Sequence, residues 1–158
     1  MYAENMLESG GKAPEFTLRD TAGSEHRLAP LLRRGPALIV LYKVSCPTCQ
    51  LTAPYLERLA NGSLQVITIS QDNAADTQRF QQAFGLTAPS LLDRKQDGYA
   101  VSQAFGITHV PSLFLVETDG TISEAGSGFV KARMEQLAQR AGVQVFRPEE
   151  HVPEWKAG

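Results

Sequence analysis

Six consecutive apolar residues, Ala37-Leu38-Ile39-Val40-Leu41-Tyr42, form the longest hydrophobic run in the chain. Their number and branched side chains predict a strand covered on both faces of a parallel sheet. Apolar runs of strand length alternate around it with segments of helical spacing. Glu15 to Arg19 alternates about Phe16 and Leu18 and predicts a short edge strand, Asp20 to Gly23 supplies turn residues, and Leu28 to Leu32 reads as one helical turn stopped by Gly35-Pro36. Pro47 to Ala60 sets Leu51, Tyr55, Leu56 and Leu59 along one helical face and stops at Asn61-Gly62. Pro54 lies inside that span and removes a backbone hydrogen bond, so the helix is expected to bend there or to end sooner.

Leu64 to Ser70 predicts the next strand, Ala74 to Phe84 a helix closed by Gly85, Ser90 to Leu92 a short strand, and Tyr99 to Phe105 a short helix closed by Gly106. Ser112 to Val116 is another apolar strand, which Asp119-Gly120 turns into Thr121 to Ser123 as a hairpin. Gly126-Ser127-Gly128 reads as a turn, and Val130 to Ala141 as the last helix, with Met134, Leu137 and Ala138 inward and Gly142 at its end. The polar stretch up to Lys12 reads as a loose lead-in, and Val145 to Gly158, with Pro148 and Pro153, as an extended tail. Strands alternating with helices predict an α/β sandwich with parallel strands and an antiparallel hairpin at one edge, in a single domain over 1–158.

Composition narrows what such a domain does. The 158 residues carry 15 Lys+Arg against 17 Asp+Glu, which leaves no basic excess to neutralise phosphates, so no nucleic-acid partner is expected. No apolar run approaches the roughly 18 to 20 residues of a membrane helix, so no membrane insertion is expected. The opening MYAENMLESGGKAPEF lacks a positive segment followed by an apolar one, which makes the cytoplasm the default; a trimmed signal segment would mean an extracytoplasmic setting instead. Two cysteines are too few for a disulfide-stapled scaffold.

Their spacing is the most informative feature. Cys46-Pro47-Thr48-Cys49 falls where the apolar strand ends and a helix begins, so Cys46 sits where unpaired N–H groups and the helix dipole favour negative charge. The thiolate is the attacking species in disulfide exchange, which makes Cys46 the exposed nucleophile and Cys49, one turn inside, the resolving thiol. Pro47 suits the first helical turn, where its missing N–H is not needed. Half of a zinc site and two unrelated buried cysteines are the alternatives. A structural zinc needs about four ligands, and His26, His109 and His151 offer neither a second pair nor the histidine spacing, so neither metal nor other cofactor is expected.

With Thr108-His109-Val110-Pro111-Ser112 ahead of a strand, CPTC resembles the active pair and the cis-proline loop of thioredoxin-fold proteins. The chain looks like their redoxin branch, the TlpA-like reductases together with the alkyl hydroperoxide reductase and thiol-specific antioxidant proteins. Gly10 to Leu18 (GGKAPEFTL) resembles the branch's N-terminal signature, and Pro54, five positions beyond Cys49, matches the thioredoxin helix proline. Gln71 to Gly106 resembles the αβα insert of TlpA-like proteins. The resemblance implies a thioredoxin-like three-layer α/β/α sandwich with a central mixed sheet, an N-terminal redoxin-type extension and the insert before the cis-proline loop. It also implies a cis Val110–Pro111 bond beside the cysteines, so Pro111 joins Cys46 and Cys49 as catalytic candidates. Pro47, Thr48, His109 and Val110 are the candidate substrate contacts, and His109 is also a candidate proton carrier; a copper role for it is set aside, because the copper-chaperone relatives use C-x-x-x-C rather than this spacing.

Departures from the family pattern are specific. Ser45 stands where thioredoxins carry Trp, Val40 where they bury an aspartate, and Thr52 where TlpA-like reductases often place a glutamate. Against the peroxiredoxin pattern, Lys43 takes the Thr or Ser place and Ile39 the proline place. Lys43 either adds positive charge near Cys46 or is simply solvated. The resulting expectation is a thiol-disulfide oxidoreductase acting on protein or small-molecule thiols and disulfides and recharged by a dithiol reductant. A thiol peroxidase and a non-enzymatic binding module are the alternatives.

Overall fold

The computed structural model describes residues 6–158. Its nine strands and five α-helices run β1 (Thr17–Arg19), β2 (Glu25–Arg27), α1 (Leu28–Leu32), β3 (Ala37–Tyr42), α2 (Pro47–Ala60), β4 (Gln65–Ser70), α3 (Ala74–Phe84), β5 (Leu91–Leu92), α4 (Ala100–Phe105), β6 (Ser112–Val116), β7 (Ile122–Ser127), β8 (Phe129–Val130), α5 (Lys131–Ala141) and β9 (Trp155–Lys156), with a short 3-10 helix at Lys95–Asp97. The central sheet has the order β5-β4-β3-β6-β7. Strands β3, β4 and β5 are parallel, whereas β6 runs antiparallel to β3 and β7 antiparallel to β6. This is the expected mixed sheet, with the hairpin at one edge.

Every residue of β3 is buried, because the strand is covered on both faces. Leu38, Val40 and Tyr42 pack with Leu56 and Leu59 of α2, Phe80 of α3 and Met134 and Leu137 of α5. Ala37, Ile39 and Leu41 pack on the other face with Leu28 and Leu32 of α1, Val101 and Phe105 of α4 and Phe16 of the N-terminal extension. Period-two alternation along one strand thus divides the interior into two cores and gives the three layers.

Helix α2 has the expected bounds, Pro47 to Ala60, and exposed Pro54 does not end it. Several other elements differ from expectation. Strand β2 forms from three polar residues because buried Asp20 closes a turn, its Oδ1 accepting the amides of Ala22 and Ser24 at 2.9 and 3.0 Å and its Oδ2 lying 2.8 Å from His26 Nε2. Gly126 and Ser127 belong to β7, so only Gly128, with φ +73°, makes the turn before β8. The lead-in is not loose where it is described: the amides of Leu7 and Gly10 bond to the carbonyls of Phe105 and Ile122, and positions 1–5 lie outside the described residues. The tail is pinned as well, and it ends in β9, antiparallel to β8 with Phe129 opposite Lys156 and Val130 opposite Trp155.

Candidate active site

Strands β3 and β4 run parallel with Tyr42 opposite Ser70, so their C-terminal ends open on the same side and the segments that follow meet there. On the β3 side comes the loop to α2. The Cys46 amide bonds back to the Lys43 carbonyl at 3.3 Å, and Gln50 Nε2 holds the Val44 carbonyl at 3.0 Å. On the β4 side, Asp72 Oδ2 accepts the Val44 amide at 2.8 Å, while the Asp72 amide is held by Ser70 Oγ at 3.0 Å. Asp72 escaped the sequence analysis. Parallel register was the available signal, since it sets the second residue beyond β4 beside the second beyond β3.

Cys46 caps α2, its sulfur accepting the Cys49 amide at 3.1 Å. The first turn of the helix therefore donates a backbone N–H to this sulfur. The same sulfur lies 3.4 Å from the Val110 carbonyl oxygen, and the Val110–Pro111 bond is cis. Cys46 is half-buried and Cys49 buried, and both are free thiols. Burial pushes the Cys49 thiol far above its ordinary range; the hydrogen bond to Cys46 and the charges of Cys46 and Asp72 push the same way, against an opposing backbone hydrogen bond from Lys43. Burial likewise raises Tyr42 to about 12, in spite of hydrogen bonds from Ser90 and Ser70.

Cys46, Cys49, Val110 and Pro111 thus meet in one place, and Pro47 is the exposed first residue of the helix. Thr48 is buried rather than open to a substrate, and its Oγ1 donates to the Ala157 carbonyl at 2.6 Å. The His109 ring is exposed and lies 2.9 Å from Thr108 Oγ1 through Nδ1, so its hydrogen bond goes to its neighbour rather than to a sulfur. Lys43 is exposed. Val40 and Thr52 are buried, and Thr52 spends its hydroxyl on the Thr48 carbonyl at 2.7 Å. Neither supplies an acid.

The AhpC/TSA family model matches residues 9–125. The chain belongs to the AhpC/TSA family. It is 27% identical over 124 residues to the thiol-disulfide oxidoreductase ResA of Geobacillus thermodenitrificans, covering 75% of this chain and 69% of that one. It is 34% identical over 137 residues to a candidate peroxiredoxin of Mycobacterium tuberculosis, covering 77% of this chain and 86% of the relative. Among solved structures it resembles the thioredoxin domain of a thiol-disulfide oxidoreductase from Bacteroides vulgatus, with a TM-score of 0.75 at 20% identity over 85% of this chain and 99% of that one. The thioredoxin-like fold is therefore that of this AhpC/TSA chain. No helix among the described residues is long and apolar enough to cross a membrane.

Proposed function

We propose that this AhpC/TSA protein is a thiol-disulfide oxidoreductase in which Cys46 is the attacking sulfur and Cys49 the resolving one. The observation that carries the reading is the 3.1 Å bond from the Cys49 amide to the Cys46 sulfur, which joins the two residues within the first turn of α2 and makes them chemically unequal. In the reducing direction the Cys46 thiolate attacks one sulfur of a substrate disulfide, and the departing thiolate takes a proton from water. Cys49 then loses its proton to solvent and attacks the Cys46 sulfur of the mixed disulfide. The second substrate thiolate leaves and is protonated. Two electrons and two protons have passed to the substrate, and a Cys46–Cys49 disulfide remains for an external dithiol to reduce. Val110 and Pro111 border the sulfur that the substrate must reach, and Pro47 forms the exposed lip of the helix.

The peroxidase alternative has a relative in its favour, but it needs a hydroxyl beside the attacking cysteine, where this chain has exposed Lys43. Compartment enters through the redox poise: an oxidising setting holds the pair as the disulfide, a reducing one as the dithiol. The test is dithiol-driven reduction of a polypeptide disulfide. Cys46→Ser is expected to abolish it, and full activity of that variant would overturn the reading. Rapid turnover of hydroperoxide with slow disulfide reduction would favour the peroxidase instead.

A further inference from the structure

The tail turns back along α2 and finishes beside Cys46. Phe146 packs edge-on against Tyr55 with ring centroids 4.9 Å apart. Arg58 near the end of the helix holds Glu150 through two hydrogen bonds of 2.7 and 2.8 Å and also donates to the Val145 carbonyl at 2.8 Å. From this anchor the chain runs to the other end of the helix, where Ala157 accepts from Thr48 Oγ1. About ten helical residues separate Arg58 from Thr48, a distance of roughly 15 Å that the seven residues from 150 to 157 span when extended.

Residues 154–158 engage the body through their backbone. Strand β9 pairs with β8, the Lys131 amide bonds to the Glu154 carbonyl at 3.0 Å, and Trp155 stays 65% exposed. Their approach is close. A Cβ at Gly158 would overlap the Val110 carbonyl, and one at Gly128 would come within 2.6 Å of the Lys156 carbonyl oxygen. The Val110 carbonyl is also the group that faces the Cys46 sulfur. Residues 155–158 therefore lie as an extended strand along the strip formed by β8, Val110 and Thr48, directly beside the nucleophile.

We propose that residues 155–158 act as an internal competitor at the substrate-contact strip, shielding Cys46 until a polypeptide substrate displaces them. The inference rests on the proposed oxidoreductase activity and adds a regulation of that site. Recognition through backbone groups tolerates many sequences, and the Gly158 contact calls for a small residue over Val110. A two-residue strand pair is weak by itself. Tethering at Arg58 keeps the segment at an effective concentration on the order of millimolar, enough to compete and still yield to a substrate.

The test compares the full chain with Gly158→Val, which cannot seat on Val110, and with Lys156→Pro, which interrupts the β8–β9 pairing. Trp155 is the single tryptophan, so its fluorescence anisotropy reports the tail directly and is expected to fall in both variants. With insulin as the polypeptide disulfide, kcat/KM is expected to rise about three- to tenfold as the open fraction increases. Carboxamidomethylation of Cys46 by iodoacetamide is expected to accelerate likewise. Unchanged anisotropy in both variants, or a freed tail with unchanged kcat/KM and alkylation, would overturn the inference. If no form of the protein reduces insulin, the oxidoreductase reading fails instead, and the alkylation rates alone decide for or against tail occlusion.

Discussion

Asp72 and Val44 lie two residues beyond the ends of neighbouring parallel strands, and the 2.8 Å bond from the Val44 amide to the Asp72 carboxylate ties the loop that carries Cys46 to the end of β4. Asp72→Ala leaves that amide without its partner. Unfolding by urea is expected to show a loss of about 1–2 kcal/mol, with Asp72→Asn, which keeps an acceptor oxygen, closer to the parent. Because the Asp72 charge also raises the Cys49 thiol, both variants are expected to lower the Cys49 pKa, measured by thiolate absorbance in a Cys46→Ser background.

The unequal burial of the two sulfurs sets their reactivity. At neutral pH, limiting iodoacetamide is expected to label Cys46 and spare Cys49, as read by peptide mass spectrometry. Equal labelling of both in the folded protein would contradict the geometry.

Burial of Cys49 also has a consequence for alkaline stability. Its pKa in the folded protein lies above the ordinary 9.0, so the folded state holds the proton that the unfolded chain releases. That contribution is fully present below 9.0 and is lost as the pH rises above it. Tyr42, raised from 10.0 to about 12, adds a second loss across that interval. Urea midpoints of the reduced protein are therefore expected to fall from about pH 9 upward. Oxidation to the Cys46–Cys49 disulfide removes the first contribution and keeps the Tyr42 one.

The anchor of the tail responds to acid. The Arg58 hydrogen bonds hold Glu150 down at about 2 from the usual 4.5. A carboxylate with a depressed folded-state pKa stabilises above its unfolded value, and its contribution disappears as the pH falls from 4.5 toward 2. Trp155 anisotropy is expected to drop over that range, and Glu150→Gln to show the drop already at neutral pH.

Much of this arrangement was legible in the chain, and the reasons differ by element. Ala37–Tyr42 announced itself because a strand buried on both faces must be apolar throughout, and the bounds of α2 followed from Pro47 at its start and Asn61-Gly62 at its end. The cis Val110–Pro111 bond came from family resemblance; nothing in the local composition demands it. Strands β2, β8 and β9 were missed because β2 is wholly polar, β9 is exposed, and β8 is two residues running straight into α5, so none has an apolar pattern of its own. They exist through contacts distant in sequence or through the Asp20 turn. For the same reason the tail's position beside Cys46 was hidden: its contacts with Thr48 and Val110 use main-chain groups that leave no mark on side-chain pattern. The acids absent from positions 40 and 52 were plain, whereas Asp72 became visible only once the parallel register placed it beside Val44.

The central claim is that Cys46 forms the bond to substrate and Cys49 releases it. Cys49→Ser, mixed with a polypeptide disulfide and quenched with acid, tests this most directly by mass spectrometry of the adduct. A stable mixed disulfide mapped to Cys46, absent in the parent and in the Cys46→Ser, Cys49→Ser double variant, is the predicted result. Failure of Cys49→Ser to form an adduct, or its accumulation in the parent to the same level, would contradict the assignment.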